Sequence, residues 1–233
     1  MSKPILLGTI HLDRAGEYES LQLMLERIRP EIIAVEISPF SVRYRQKNQK
    51  KWLTIFNKRI SSLTEKEGMH SGLELLKLQI TTPFEWEVAN IYGKNNNIPV
   101  IAIDCGDIAK KDMPYWEKTL LSLKNISNIL KLQSVDIDDY FERHHQYALN
   151  FISRPMYIPE VINPLRWLND ETWSKREALL ETKMRRILKT NKKSLYIGGW
   201  MHIVMGSPYK TLAERLSDLN PECILLKRRN KKS

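Results

Sequence analysis

Five short apolar runs punctuate this chain: Ile5-Leu6-Leu7, Ile32-Ile33-Ala34-Val35, Ile98 to Ile103, Leu195-Tyr196-Ile197 and Cys223-Ile224-Leu225-Leu226. None alternates cleanly between apolar and polar residues. That is the pattern of strands buried on both faces of a parallel sheet. Helical patterns lie between the runs. Leu21, Met24, Leu25 and Ile28 recur at the spacing of one helix face, and Pro30 ends that helix, so the first two runs bound a βαβ unit. The expected fold is α/β, a mostly parallel central sheet flanked by helices.

The connection from Ile37 to Gln79 is long, basic and helical in pattern, with Trp52, Ile55, Phe56 and Ile60 as its apolar stripe. Thr82-Pro83-Phe84-Glu85 reads as a helix start, with a cap residue, proline at the first helical position and Glu three residues after the cap. That helix runs to Asn95-Asn96-Asn97. Two helices are expected between Pro114 and Phe151, then an extended segment forced by Pro155, Pro159 and Pro164, then a helix from about Asp170 to Thr190. Ser207-Pro208 opens the last helix, and Pro221 leads into the final strand. The chain therefore reads as one α/β domain over 1–226, with helical insertions at about 38–80 and 106–170 forming a cap on the sheet. A basic tail at 227–233 is expected to be disordered.

Composition matters through its distribution. Of 233 residues, 37 are Lys or Arg and 27 are Asp or Glu. Arg43 to Arg59 carries seven basic residues and no acid, and Lys227 to Ser233 carries five more; the rest of the chain, 25 basic against 27 acidic, is near neutral. This excludes a protein that is basic throughout, such as a coat for nucleic acid. Without a base-reading motif or interleaved aromatics, the basic segments predict a weak, non-specific nucleic-acid contact at most, and a solvated helix face is the simpler reading. Two cysteines, Cys105 and Cys223, are too few for a disulfide framework and lack zinc spacing, which points to a reducing, cytoplasmic compartment. The run Pro4 to His11 reads as a core strand and not as a signal peptide. No stretch approaches the roughly 18 consecutive apolar residues of a membrane span.

The chemistry is suggested by where polar residues stop the strands. The first run ends in Gly8-Thr9-Ile10-His11, the second in Glu36, the third in Asp104 and the fourth in Gly199-Trp200-Met201-His202. In an open α/β sheet the carboxyl ends of parallel strands converge on one crevice, so two imidazoles and two carboxylates should meet there. Both histidines stand in a GxxH spacing, where glycine lets the chain turn off the strand. One such residue alone is more simply a helix cap or a satisfied hydrogen bond; four at equivalent positions favour a site. Glu85 carries the capping role as its own alternative. His144 and His145 are adjacent on a helix and cannot chelate one ion, and His144 falls with Ile137, Phe141 and Ala148 on an apolar face. Both read as structural or surface residues, and His70 as a loop residue. Trp86, Trp167, Trp173 and Trp200 read as core or cap packing, with Trp200 near the site.

Taken in order, certain blocks resemble a known family: Gly8-Thr9-Ile10-His11; Pro30 to Glu36; Glu85-Trp86-Glu87-Val88-Ala89 leading into Ile98 to Asp104; Arg176-Glu177; and Tyr196-Ile197-Gly198-Gly199-Trp200-Met201-His202. They are similar to the TraB pheromone-shutdown family and its TIKI metalloprotease relatives, within a superfamily that includes erythromycin esterases and ChaN haem-binding lipoproteins. The resemblance implies an α/β sheet whose paired GxxH histidines and acids form one site and, in the TIKI branch, a divalent-metal-dependent peptidase. It maps His11 and His202 to the two histidines, and Glu36, Glu85 and Asp104 to the acids. Arg176 matches an arginine that the family usually precedes with Glu and follows with Asp or Asn; here Lys175 and Glu177 flank it.

The resulting expectation is a soluble TraB-like hydrolase acting on a peptide or a small amide or ester. His11 and His202 would hold Mn, Co or Zn with Glu36 or Glu85, and a second carboxylate would act as base toward a metal-bound water. A metal-free variant would use one histidine as general base and the carboxylates, Asp104 included, to orient it. Arg176 would hold a carboxylate or oxyanion of the substrate. The alternative is a non-catalytic module that keeps the same crevice for a ligand such as haem or a signalling peptide.

Overall fold

The computed structural model describes residues 3–11, 17–63, 70–153, 170–205 and 210–227. The prolines at 155, 159 and 164, Trp167, the Ser207-Pro208 helix start and the tail beyond Lys227 lie outside them. Five strands form one sheet: β1 (Ile5–Thr9), β2 (Ile32–Val35), β3 (Val100–Ala102), β4 (Ser194–Gly199) and β5 (Glu222–Leu225). All pair in parallel, in the order β3-β2-β4-β1-β5. The helices are α1 (Glu17–Ile28), α2 (Pro39–Ser61), α3 (Ser71–Ile80), α4 (Phe84–Asn96), α5 (Asp107–Asp112), α6 (Leu123–Leu130), α7 (Ile137–Ser153), α8 (Asp170–Leu188) and α9 (Leu212–Arg215).

The chain sorts into two compact units. Met1–Ile37, Phe84–Cys105 and Arg143–Ser233 form the first; Ser38–Pro83 and Gly106–Glu142 form the second. In the first unit, strand side chains alternate between two covered faces. Leu6, Ile32, Ala34 and Tyr196 pack with Leu180, Met184, Ile187 and Leu188 of α8 and with Leu212, Ala213 and Leu216 around α9. Leu7, Ile33, Leu195 and Ile197 are fully buried at the intervening positions, α4 packs on β2 and α1 packs on α4. β4, between β2 and β1, is buried at every position. Burial on both faces is why these segments show little polar alternation, and each such Leu or Ile contributes about 1.5–3 kcal/mol of hydrophobic stabilisation.

β3 is shorter than its sequence run because it is an edge strand entered from Pro99. α4 ends with Asn97 at φ 54°, a left-handed cap conformation that asparagine tolerates. Hydrogen bonding nevertheless continues past both ends of β3, from Ile33 N to Pro99 O at 3.0 Å and from Ile103 N to Val35 O at 3.0 Å. Among the described residues, no helix is long and apolar enough to cross a membrane.

The second unit has its own core, in which Trp52 and Phe56 of α2 pack with Leu73, Leu76, Ile80, Met113, Trp116, Leu121 and Ile126; Ile55 and Ile60 flank it. The long basic connection holds two helices, α2 and α3. Ser38 caps α2 by accepting from Ser41 N at 3.0 Å, with Pro39 in the first turn. His70 is more than a loop residue: its Nδ1 accepts from Gly72 N at 3.1 Å to cap α3, and its Nε2 donates to Leu132 O at 3.0 Å. Ile137, Phe141 and Ala148 of α7 are buried while His144, in line with them, is exposed at the surface. His145 Nε2 donates to Leu226 O at 3.1 Å.

Two truncations separate core from surface. Leu180→Ala, at a fully buried contact of α8, is expected to lower the unfolding free energy by about 2–5 kcal/mol. Leu23→Ala, at a half-exposed position, should change it by no more than about 0.5 kcal/mol. Urea denaturation of both variants reads the difference.

Candidate active site

Register brings the site together. Thr9 of β1 pairs with Gly199 of β4, and Val35 of β2 pairs with Ile197 of β4 and Ala102 of β3. Ladder bonds run on past the strand ends, from Glu36 N to Ile197 O at 2.8 Å and from Asp104 N to Ile37 O at 3.1 Å. Glu36 therefore lies beside the two glycines that end β4. On their other side His11 turns back over the sheet edge with φ 58°, an uncommon conformation for a residue with a Cβ.

The glycines are needed for close approach. A Cβ on Gly198 would collide with Tyr196 Oη and lie 2.5 Å from Glu36 Oε2, and one on Gly199 would lie 2.6 Å from His11 Nε2. Gly199 itself has φ −58° and ψ 138°, angles open to any residue. The sequence expectation of a tight turn is thus replaced by a steric reason: the side chains of His11, Glu36 and Tyr196 rest directly on the strand end.

Charges alternate around Glu36, whose side chain is 3% exposed. Its Oε1 accepts from Arg176 Nη2 and, at 2.9 Å, faces His202 Nε2. Its Oε2 accepts from Gly199 N at 2.6 Å and from Tyr196 Oη at 3.1 Å. Arg176 also grips Asp104 with two bonds, Nε to Oδ1 at 2.9 Å and Nη2 to Oδ2 at 3.0 Å. On the far side of His202, Nδ1 bonds Glu177 Oε1, and Trp173 stacks on the ring with centroids 4.8 Å apart. Glu177, His202, Glu36, Arg176 and Asp104 thus form one chain of alternating sign. Beside it is a second pair: His11 Nδ1 lies 2.9 Å from Glu85 Oε1, which also accepts from Thr9 Oγ1 at 2.7 Å. His11 Nε2 stands 3.8 Å from Glu36 Oε2, and the His11 side chain is 47% exposed.

The electrostatics follow from these contacts. Burial works to lower the His202 pKa, but the charges of Glu36 and Glu177 and its bonds to both push it up to about 9, so the ring is an imidazolium at neutral pH. Burial alone would raise Glu36; the charges of His202 and Arg176 hold it well below the usual carboxylate range. Burial and the Glu36 charge raise Tyr196 well above the usual phenol value, so it stays protonated and donates. For His11, desolvation is outweighed by the Glu85 bond and by the charges of Glu85 and Glu36, and its pKa stands above the ordinary 6.5.

All six expected residues, His11, Glu36, Glu85, Asp104, Arg176 and His202, meet at this edge, and two of them make contacts that the sequence did not announce. Glu85 is not a helix cap: Oε1 serves His11 and Thr9, and Oε2 is buried with no hydrogen-bond partner among the described residues. The capping box of this chain forms instead at Thr211 and Glu214. Arg176 spends Nε and Nη2 on Asp104 and Glu36, so it joins two strand ends before it can hold a substrate.

The expected metal ligands His202 and Glu36 are already engaged by other partners in this arrangement. A divalent ion needs neutral imidazole nitrogens and carboxylate lone pairs that are free. Both ring nitrogens of His202 face carboxylates, and each oxygen of Glu36 already has two partners. Among the described residues no group of three or more His, Cys, Asp or Glu side chains could hold a metal ion.

Glu177, Tyr196 and Trp173 are the site residues that sequence reasoning missed. A signal for the first was present: Trp173, Leu180 and Met184 mark a buried helix face, and Arg176-Glu177 puts two charges into its stripe. Charges at core positions of an amphipathic helix indicate partners elsewhere in the fold.

The sign of the pH dependence is set by His202. With its folded pKa raised to about 9 from an ordinary 6.5, its contribution is complete below pH 6.5 and is lost as the pH rises through about 9, on the order of 3 kcal/mol in all. Wild type should lose stability to urea across that window, and His202→Asn should show a much flatter profile.

No family model, curated protein or solved structure matches this chain, and the functional reading rests on the arrangement of these side chains.

Proposed function

We propose that this chain is a metal-independent hydrolase of ester or amide bonds in peptides or small molecules, with His11 as general base. One observation carries the reading: His11 is the half-exposed imidazole of the site, and its Nδ1 is bonded to the buried carboxylate of Glu85. That bond favours the tautomer with hydrogen on Nδ1, which leaves the Nε2 lone pair as base. Nε2 would take a proton from a water as that water attacks the substrate carbonyl, and would return it to the leaving oxygen or nitrogen. Glu85 and Glu36, flanking the ring, would stabilise the imidazolium formed between these steps. The Nη1 of Arg176, which has no partner among the described residues, would polarise the carbonyl oxygen. Of the families that the paired GxxH segments resemble, the esterases are the ones that suggest such a metal-free mechanism.

The orphaned oxygens Glu85 Oε2 and Glu177 Oε2 support it further. Leaving a buried polar atom unpaired costs stability, and such departures concentrate where a fold serves function.

Hydrolysis of a p-nitrophenyl ester panel tests the proposal. His11→Ala should lower kcat by about 10²–10⁴ with little change in melting temperature, and Glu85→Gln should lower it less. Wild-type activity should rise with pH through a pKa above 6.5, as His11 loses its proton. Activity should survive EDTA, and Mn, Co or Zn should not raise the melting temperature. Absence of turnover on ester and peptide panels alike would favour the binding-module reading, and a metal-induced thermal shift abolished by His11→Ala would contradict the metal-free mechanism.

A further inference from the structure

The basic helix of the second unit carries charge that the fold does not use. α2 contains no acidic residue, and its seven basic side chains divide into two groups. Arg45 is a structural clip that donates to Thr81 O at 2.9 Å and to Gln79 O at 3.0 Å, closing the end of α3. Arg59 similarly donates to Glu117 O and Leu121 O, and Lys51 pairs with Glu117 Oε1 at 2.7 Å. Arg43, Lys47, Lys50 and Lys58 have no hydrogen bond or ion pair among the described residues, and all four are exposed.

These four share one line. At 100° per residue they fall, with Lys51 and Thr54, within about 100° of helix circumference, opposite the buried Trp52 and Phe56. From Arg43 to Lys58 the line runs roughly 22 Å at 1.5 Å per residue. A nucleic-acid duplex presents a charge about every 1.7 Å, roughly a dozen over that length. The exposed residues among the cations are polar, Gln46, Thr54 and Asn57. The stripe therefore lacks the apolar anchors a bilayer surface requires and the aromatic platforms that single strands stack upon.

We propose that this face of α2 is a docking surface for the phosphate backbone of a nucleic-acid duplex, bound without sequence readout. The rest of the chain, apart from the tail, is near neutral, so the attraction is confined to one stripe and does not depend on the proposed hydrolytic site.

Fluorescence anisotropy of the full chain with a labelled DNA duplex of roughly 20 base pairs tests this, because each neutralised phosphate contributes about −0.9 to the slope of log K against log salt. Four cations predict a slope of about −3 to −4, or roughly a hundredfold loss of affinity from about 50 to 200 mM salt. Replacing Arg43, Lys47, Lys50 and Lys58 together by Gln should remove most of the binding and of the slope while leaving the melting temperature unchanged. If that variant is unstable, Lys47→Gln and Lys50→Gln singly should each reduce the slope by about one. Deleting 228–233 should preserve it. The proposal is overturned if the duplex is not bound, if the Gln variants bind like wild type, or if deleting the tail alone abolishes binding. Binding to vesicles of anionic lipid without binding to the duplex would overturn it as well.

Discussion

A carboxylate withdrawn from water costs several kcal/mol unless partners replace its hydration, and the end of β4 is organised around meeting that demand at Glu36. Its two oxygens receive a guanidinium, an imidazolium, a phenol and a backbone amide. Each donor fixes something else in turn. Arg176 draws Asp104 and the end of β3 to the end of β2; His202 brings in Glu177 and Trp173; the Gly199 amide is reached because Gly198 has no side chain, and His11 comes close because Gly199 has none. Buried ion pairs of this kind add little net stability over apolar packing. Their product is fixed orientation, with one imidazole enclosed and charged and the other open beside it.

The two histidines stand in the same GxxH spacing, yet their surroundings differ, one side chain buried and the other half-exposed. His202 is clamped between Glu36 and Glu177, which push its pKa up to about 9. His11 is half-exposed, bonded to Glu85 through Nδ1, with Nε2 3.8 Å from Glu36 Oε2. Environments that separate like groups into fixed and mobile protonation states are how active sites divide labour between otherwise equivalent residues.

Much of this was legible in the sequence, for identifiable reasons. The runs at 5–7, 32–35 and 195–197 declared a doubly covered parallel sheet because burial on both faces leaves no room for alternation. Polar residues directly after those runs declared that these side chains would meet at one sheet edge, because parallel strands point the same way. Pairing inside the site was hidden. Nothing in Thr82-Pro83-Phe84-Glu85 says that Glu85 would turn to His11 instead of capping its helix, since that choice depends on where β1 ends relative to α4. The roles of Arg45 and Arg59 were equally invisible, because only the packing of α2 on its neighbours distinguishes a clip from a solvated cation. The chain leaves the first unit just after Ile37 and again at Cys105, immediately beyond Glu36 and Asp104; connections after strand ends are where α/β folds accept insertions.

The most direct measurement is the protonation state of the two rings, read by nitrogen-15 histidine NMR across a pH titration. With His202 held by two carboxylates, both of its nitrogens should carry protons at pH 7 and lose the cationic signature only near pH 9, while His11 titrates separately and shows an unprotonated Nε2 once neutral. A His202 ring that is neutral at pH 7, with one bare nitrogen, would contradict the alternating-charge arrangement and return that nitrogen to the pool of possible metal ligands.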